Sequence, residues 1–176
     1  MADTIRVHTD NIREATKTLR AGDSILLSGT VYTARDAAHK RICALLAEGK
    51  ELPFDLRDAV IYYAGPTPAP EGRPIGSCGP TTSSRMDGFA PTLYDNGLAA
   101  TIGKGGRNAN VVDALKRNGG VYLCAVGGAG AIAARAIQSV EIIAFPELGC
   151  EAVRRMEVKD FPLIVGVDSE GNSALK

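Results

Sequence analysis

The sequence of 176 residues predicts an α/β layered domain. Three observations carry that prediction. Short runs rich in β-branched and aromatic residues alternate with segments whose apolar residues recur at helical spacing. Glycine-rich joints separate the two kinds of segment. No internal repeat or low-complexity tract interrupts the alternation. The length suffices for a sizeable core, and residues 1–176 are expected to form one domain.

Element by element, "TDNIREATKTLRAGD" reads as an amphipathic first helix, with Asp10 as cap, Ile12, Ala15 and Leu19 on one face, and Gly22 as terminator. "SILLSGTVYTA" (24–34) is strand-like, and "RDAAHKRICALLAEG" (35–49) is a helix closed by Gly49. "AVIYYAG" has the continuous apolar character of a buried strand, and "PTPAPEGRPIG" is too Pro-dense for a regular element. It leads into "GPTTSSRMDGFAP" (79–91), where Pro80 suits the first turn of a helix. Strand "LAATIG", helix "NANVVDALKRNGG", strand "VYLCAV", turn "GGAG", a short helix and strand "SVEIIAF" follow. The tail "EVKDFPLIVGVDSEGNS" reads as one or two closing strands around an "SEGN" turn.

Composition excludes several function classes. Twenty basic and 20 acidic residues balance, so no uniformly charged surface exists to attract nucleic acid or anionic lipid. "MADTIRVHTD" has no apolar signal-type region, and no run approaches the roughly 18 apolar residues of a membrane span, so a soluble cytoplasmic protein is expected. Cys43, Cys78, Cys124 and Cys150 are scattered, with no C-x-x-C pair and only His8 and His39 to help them. A self-contained zinc or iron–sulfur site is therefore not expected, and buried free thiols are the default.

Three stretches carry anion-binding chemistry. In "GPTTSSRMD", Thr81 to Ser84 would crowd a helix N-terminus whose N–H groups lack partners, and Arg85 would lie one turn beyond Thr81. The bland alternative is a capped helix with a solvated arginine. In "TARDAAHKR", Arg35 and His39 are four apart on a helix that starts just after a strand, a place where open α/β sheets bind ligands. Asp36 and Lys40 at the same spacing allow a purely structural surface helix instead. "IGKGGRNAN" puts Lys104 and Arg107 in a glycine-rich loop, where two cations and exposed amides would suit an anion. It is not a Walker A loop, because the lysine precedes the close-spaced glycines and no Ser or Thr follows it. "GAGAIA" (128–133) fits the G-x-G-x-x-A dinucleotide pattern, with Glu147 at about the spacing of a ribose-binding acid. The following helix is too short for a doubly wound nucleotide domain, and small residues that let a helix pack closely explain the pattern.

"LSGTVYTARDAAHKR", "YYAGPTPAP", "GSCGPTTSSRMDGFAP", "IGKGGR", "FPELGCEA" and "FPLIVGVDSEGN", in that order, resemble the class I iron–sulfur hydro-lyases, the fumarases and L-tartrate dehydratases. The likeness is to their C-terminal domain or separate β subunit, and it spans nearly the whole chain. It implies the swivelling β/β/α layered domain of the aconitase-like swivel type. It also implies a 4Fe-4S cluster held by three cysteines of a partner α subunit, none of it by this chain, and a higher assembly of αβ pairs. The open iron of that cluster would act as a Lewis acid on the departing hydroxyl. By the same resemblance Thr81 abstracts the proton, Asp36 and His39 orient or relay, and Arg35, Arg85, Lys104 and Arg107 hold a small dicarboxylate. Such cations stabilise the charge that spreads onto the carboxylate when an adjacent C–H is lost. The arginine in "GKGGR" points to fumarate and malate, with L-tartrate dehydratase as the alternative. A non-catalytic anion- or nucleotide-binding module on the same fold is a further reading, against which Thr81, Arg85 and Lys104 together speak. The chain departs from the family in having no Trp near "GCEAVRRM".

Overall fold

Along Ser24–Thr33 every second residue is buried, so this segment runs extended with one face in the core and forms β2 of the structure, a computed structural model describing residues 3–126, 128 and 130–176. Before it come β1 (Ile5–His8), a single 3-10 turn and α1 (Ile12–Thr18). After it come α2 (Asp36–Ala47), β3 (Val60–Tyr62), a 3-10 turn at Ser83–Met86, α3 (Ala90–Asp95), β4 (Ala100–Gly103), α4 (Ala109–Asn118) and β5 (Val121–Ala125). The chain then runs through α5 (Gly130–Ala136), β6 (Ile137–Ala144), a 3-10 segment at Pro146–Glu151 and β7 (Val153–Val167). Among the described residues no helix is long and apolar enough to cross a membrane.

The strands join in the order β1-β2-β3-β4-β5-β7-β6, and β2 also pairs with β7. Strands β1 to β5 are mutually parallel, while β7 is antiparallel to β2, β5 and β6. The ladders therefore close a ring, β2-β3-β4-β5-β7-β2. Closure depends on the length of β7: its first half lies between β2 and β6, and its second half between β2 and β5. The turning point is Asp160, whose φ is 51° and whose N–H donates to Ser28 Oγ at 3.0 Å.

Alternate residues of the central strands feed two apolar clusters. Val60, Tyr62, Ile102, Val121 and Leu123 point into the ring with Ile25, Leu27, Phe161 and Leu163. Ile61, Tyr63 and Tyr122 face outward onto Ile42 of α2, Leu93 and Tyr94 of α3, and Val111 and Leu115 of α4. Helices α2, α3 and α4 thus cover the outer face, Ile12 of α1 and Ala133 of α5 join the cluster inside the ring, and the C-terminal ends of β2, β3 and β4 lie on one edge.

Helices α2 and α4 end where their glycines dictate. Gly49 and Gly119 both have φ of 65°, which a side chain would disfavour, and Asn108 caps α4 by accepting from the Val111 N–H at 3.0 Å. Other expectations are corrected. Asp10 is not a cap: the His8 ring accepts from the Asp10 N–H at 3.2 Å, and α1 starts only at Ile12. That helix ends at Thr18 rather than at Gly22, whose N–H is taken by Val165 of β7. Pro80 does not begin a helix. It bridges Ala64 antiparallel, Thr82 bridges Lys104 in parallel, and only Ser83–Met86 coils. Strand β1 and helix α3 are short elements absent from the sequence reading, and β7 begins at Val153, ahead of the expected tail strand. "SEGN" does turn, with the Gly171 N–H donating to Asp168 O at 3.0 Å. Gly127 and Ala129, in the "GGAG" turn and its dinucleotide-like pattern, lie outside the described residues. Glu147 pairs with Arg41 of α2.

Candidate active site

Six of the seven residues singled out from sequence gather around one edge of the sheet. Arg35, Asp36 and His39 follow β2, and Thr81 and Arg85 follow β3. Lys104 follows β4 directly and is exposed. The extended segment Pro80–Thr82 crosses the ends of β3 and β4, held by the Thr81 N–H to Tyr63 O at 2.7 Å and the Ser83 N–H to Lys104 O at 2.9 Å. Backbone pairing thus sets Thr81 beside the end of β3 and Thr82 beside Lys104. A helix N-terminus at Thr81 is not part of the arrangement, because a single 3-10 turn begins two residues later and Thr82 makes no side-chain cap.

Arg85 reaches across to the first turn of α2. Its Nη2 lies 2.9 Å from Asp36 Oδ2, with the arginine side chain 52% and the aspartate 35% exposed. The contact has the distance of an ion pair without the alignment of a hydrogen bond, so Asp36 Oδ2 is buried with no hydrogen-bond donor. Arg35 Nε and His39 Nε2 are likewise buried and without partners among the described residues. All three atoms belong to the first turn of α2 or its cap. Buried polar groups of this kind normally find partners, so their clustering marks a place built to receive one.

His39 is fully buried. Desolvation is the main cause that lowers its pKa to about 4, reinforced by nearby Arg107 and opposed by the hydrogen bond to Arg35 and by Asp36. The ring is therefore neutral near pH 7. Its Nδ1 lies 2.8 Å from Arg35 O, a carbonyl that can only accept, so Nδ1 carries the hydrogen and Nε2 is an acceptor. Tyr63 and Phe89 hold the ring from either side, with centroids at 5.4 Å and 5.8 Å.

Arg107 stands apart from the other six. Its side chain has no exposed surface and its Nε donates to Asp87 Oδ1 at 2.7 Å. A cation in a glycine-rich loop reads as solvent-facing, but here the loop turns the guanidinium inward onto Tyr63, Thr101 and Asp87. Sequence reasoning also passed over Asp87 and Tyr63, and took Ser83 only as one of the hydroxyls at an expected helix start. Their signal was present in the polar density of "SSRMD" and in a tyrosine placed at the end of an apolar strand.

A cleft of about 620 Å³ lies around Arg6, His8, Glu14 and Asp160. The six residues at the sheet edge line none of its walls. They form an open, cation-rich face able to bind carboxylate oxygens, with a hydroxyl and a neutral imidazole close by. Among the described residues no three His, Cys, Asp or Glu side chains are grouped as metal ligands, and all four cysteines are free. The residues present do not fit an iron–sulfur cluster.

The model of the Fumarase C-terminus family matches residues 1–176. Fumarate hydratase 2 of Leishmania major is 43% identical over 165 residues, covering 93% of this chain and 29% of that protein. The anaerobic class I fumarate hydratase of Escherichia coli is 45% identical over 148 residues, covering 83% of this chain and 27% of that protein. The chain thus spans less than a third of the length of these two relatives. A putative L(+)-tartrate dehydratase subunit beta of Methanocaldococcus jannaschii is 41% identical over 163 residues, covering 89% of this chain and 84% of that protein. With a match from end to end, the chain belongs to the Fumarase C-terminus family.

Proposed function

We propose that this chain is the β subunit of an iron–sulfur hydro-lyase that interconverts fumarate and L-malate, the 4Fe-4S cluster being carried by a partner α subunit. The observation that carries the reading is the gathering of Arg35, Asp36, Thr81, Arg85 and Lys104 on one open edge. Arg85 and Arg35 hold substrate carboxylates, and Lys104 adds charge at the end of β4. Negative charge that develops on a carboxylate as the adjacent C–H breaks is met by cations already aimed there, which favours the transition state over the ground state. Thr81 takes the proton. Its hydroxyl is a very weak base, and the cations on this face are what favours its deprotonated form. Asp36 orients Arg85, and neutral, buried His39 acts behind the face, where its Nδ1–H on Arg35 O orients the cap of α2 that carries Arg35. This chain's own residues do not fit the cluster, so its part is confined to holding the dicarboxylate and taking the proton. The swivelling aconitase-like type of domain, a cytoplasmic setting and assembly from αβ pairs belong to the same proposal, the first in keeping with a mixed α/β fold around one seven-stranded sheet.

A second reading, L-tartrate dehydration, rests on the 41% identity to the putative archaeal L(+)-tartrate dehydratase subunit beta. Steady-state assays of the two-chain enzyme distinguish them. The fumarase reading expects a higher kcat/KM for malate and fumarate, and a higher value for L-tartrate replaces it with the second reading.

A further inference from the structure

Arg107 is enclosed by groups from separate stretches of chain. Besides Asp87, its Nη1 donates to Thr101 Oγ1 at 3.1 Å and its Nη2 to Tyr63 OH at 3.2 Å. The guanidinium lies 5.2 Å from the centroid of the Tyr63 ring and 4.8 Å from that of Tyr122. An enclosed charge contributes little net stability, so what the network joins is more informative than what it weighs. The second oxygen of Asp87 accepts from the Asn108 N–H at 2.9 Å. Tyr122 OH donates to Gly105 O at 2.7 Å and lies 2.8 Å from Ser83 Oγ. The turn that carries Arg85 and the loop that carries Lys104 are therefore fastened to the same buried group.

From this geometry, and resting on the hydro-lyase reading, we infer that Arg107 is a positioning residue for the dicarboxylate: it fixes Arg85 and Lys104 relative to one another through Asp87 and the two tyrosines without touching substrate. Thr81 is held separately, by the carbonyl of Tyr63. Disturbing Arg107 should thus spoil the carboxylate clamp more than proton abstraction, and KM should move more than kcat.

Four forms of the chain test this: wild type, Arg107→Lys, Arg107→Ala and Tyr63→Phe. Each is examined alone by amide hydrogen exchange, then paired anaerobically with the cluster-bearing chain, checked for assembly and assayed. Arg107→Lys keeps a charge but loses the planar fork. The Ser83 and Asn108 amides should exchange roughly 10-fold faster or more, with Ile42 of α2 unchanged, because only the junction loosens. In the assembled enzyme KM should rise roughly 10-fold or more while kcat stays within about 3-fold, and guanidinium added to Arg107→Ala should bring KM back down. Tyr63→Phe removes one acceptor and leaves the ring, so it should raise KM by a smaller factor even if the lysine variant fails to fold. Wild-type KM in the assembled variants overturns the assignment. A wild-type pair with no activity on fumarate, malate or tartrate sinks the hydro-lyase reading instead, and the two failures are therefore distinct.

Discussion

Arg85 and Thr81 lie four positions apart in one motif, yet the structure gives them different supports, and their variants should fail differently. Arg85 projects from the 3-10 turn toward Asp36 at 2.9 Å, whereas Thr81 is in extended backbone anchored to Tyr63. Arg85→Lys loses the bidentate fork, so kcat/KM should fall by about 2 to 4 kcal/mol, chiefly through KM. Thr81→Ala should lower kcat by roughly 100-fold or more with little change in KM, since a general base acts in the transition state. Steady-state kinetics of the assembled variants check both, and near-wild-type values in both would leave the motif a structural one. His39 gives a prediction about pH. Its folded pKa of about 4 lies below the ordinary histidine value of 6.5, so the unfolded chain takes up the proton first as pH falls. The neutral ring therefore contributes stability that is present above pH 6.5 and is lost between there and about pH 4, on the order of 3 kcal/mol at most. Urea unfolding across that window should show a smaller loss for His39→Gln than for wild type, and parallel curves would contradict the burial argument. The sequence made these residues legible because hydroxyls, arginines and lysine stand in dense polar stretches within an apolar chain. It did not make the burial of Arg107 legible, because Tyr63, Asp87 and Tyr122 come to it from three other places along the chain.

At the level of elements, β2, α2 and α4 follow from local chemistry: alternating burial in the strand, and a left-handed glycine at the end of each helix. Strand β1 and helix α3, of four and six residues, carry too few periods to be read and lack the continuous apolar run that marks the equally short β4 and β5. The turn after Pro80 was misread because a proline followed by hydroxyls suits a helix start, while tertiary pairing to Ala64 and Lys104 holds it extended. The close fit of that turn on β4 supplies a test. A Cβ at Gly103 would overlap Ser83 Oγ and come within 2.9 Å of the Tyr63 ring. Gly103→Ala should therefore destabilise the chain by about 1 to 3 kcal/mol in urea unfolding, and in the two-chain enzyme it should raise KM by displacing the turn that bears Arg85. A variant of unchanged stability would mean that the turn and β4 are not pressed together as described.

On the scale of the whole molecule, ring closure through β7 was not legible, since no local pattern tells which strand a long segment will pair with on each side. What the closed ring does is present the ends of β2, β3 and β4 together, and with them a face of cations that has no metal ligands grouped among its described residues. The chain matches less than a third of the two fumarate hydratases and 84% of the putative tartrate dehydratase subunit beta. If this chain supplies clamp and base and a partner supplies the rest, neither chain suffices alone. Hydration of fumarate is measured under anaerobic conditions for this chain alone, for a cluster-bearing α chain alone, and for the two mixed. Activity is expected only in the mixture, and it should be lost on exposure to oxygen. Full activity of this chain alone in the presence of a chelator would contradict that division.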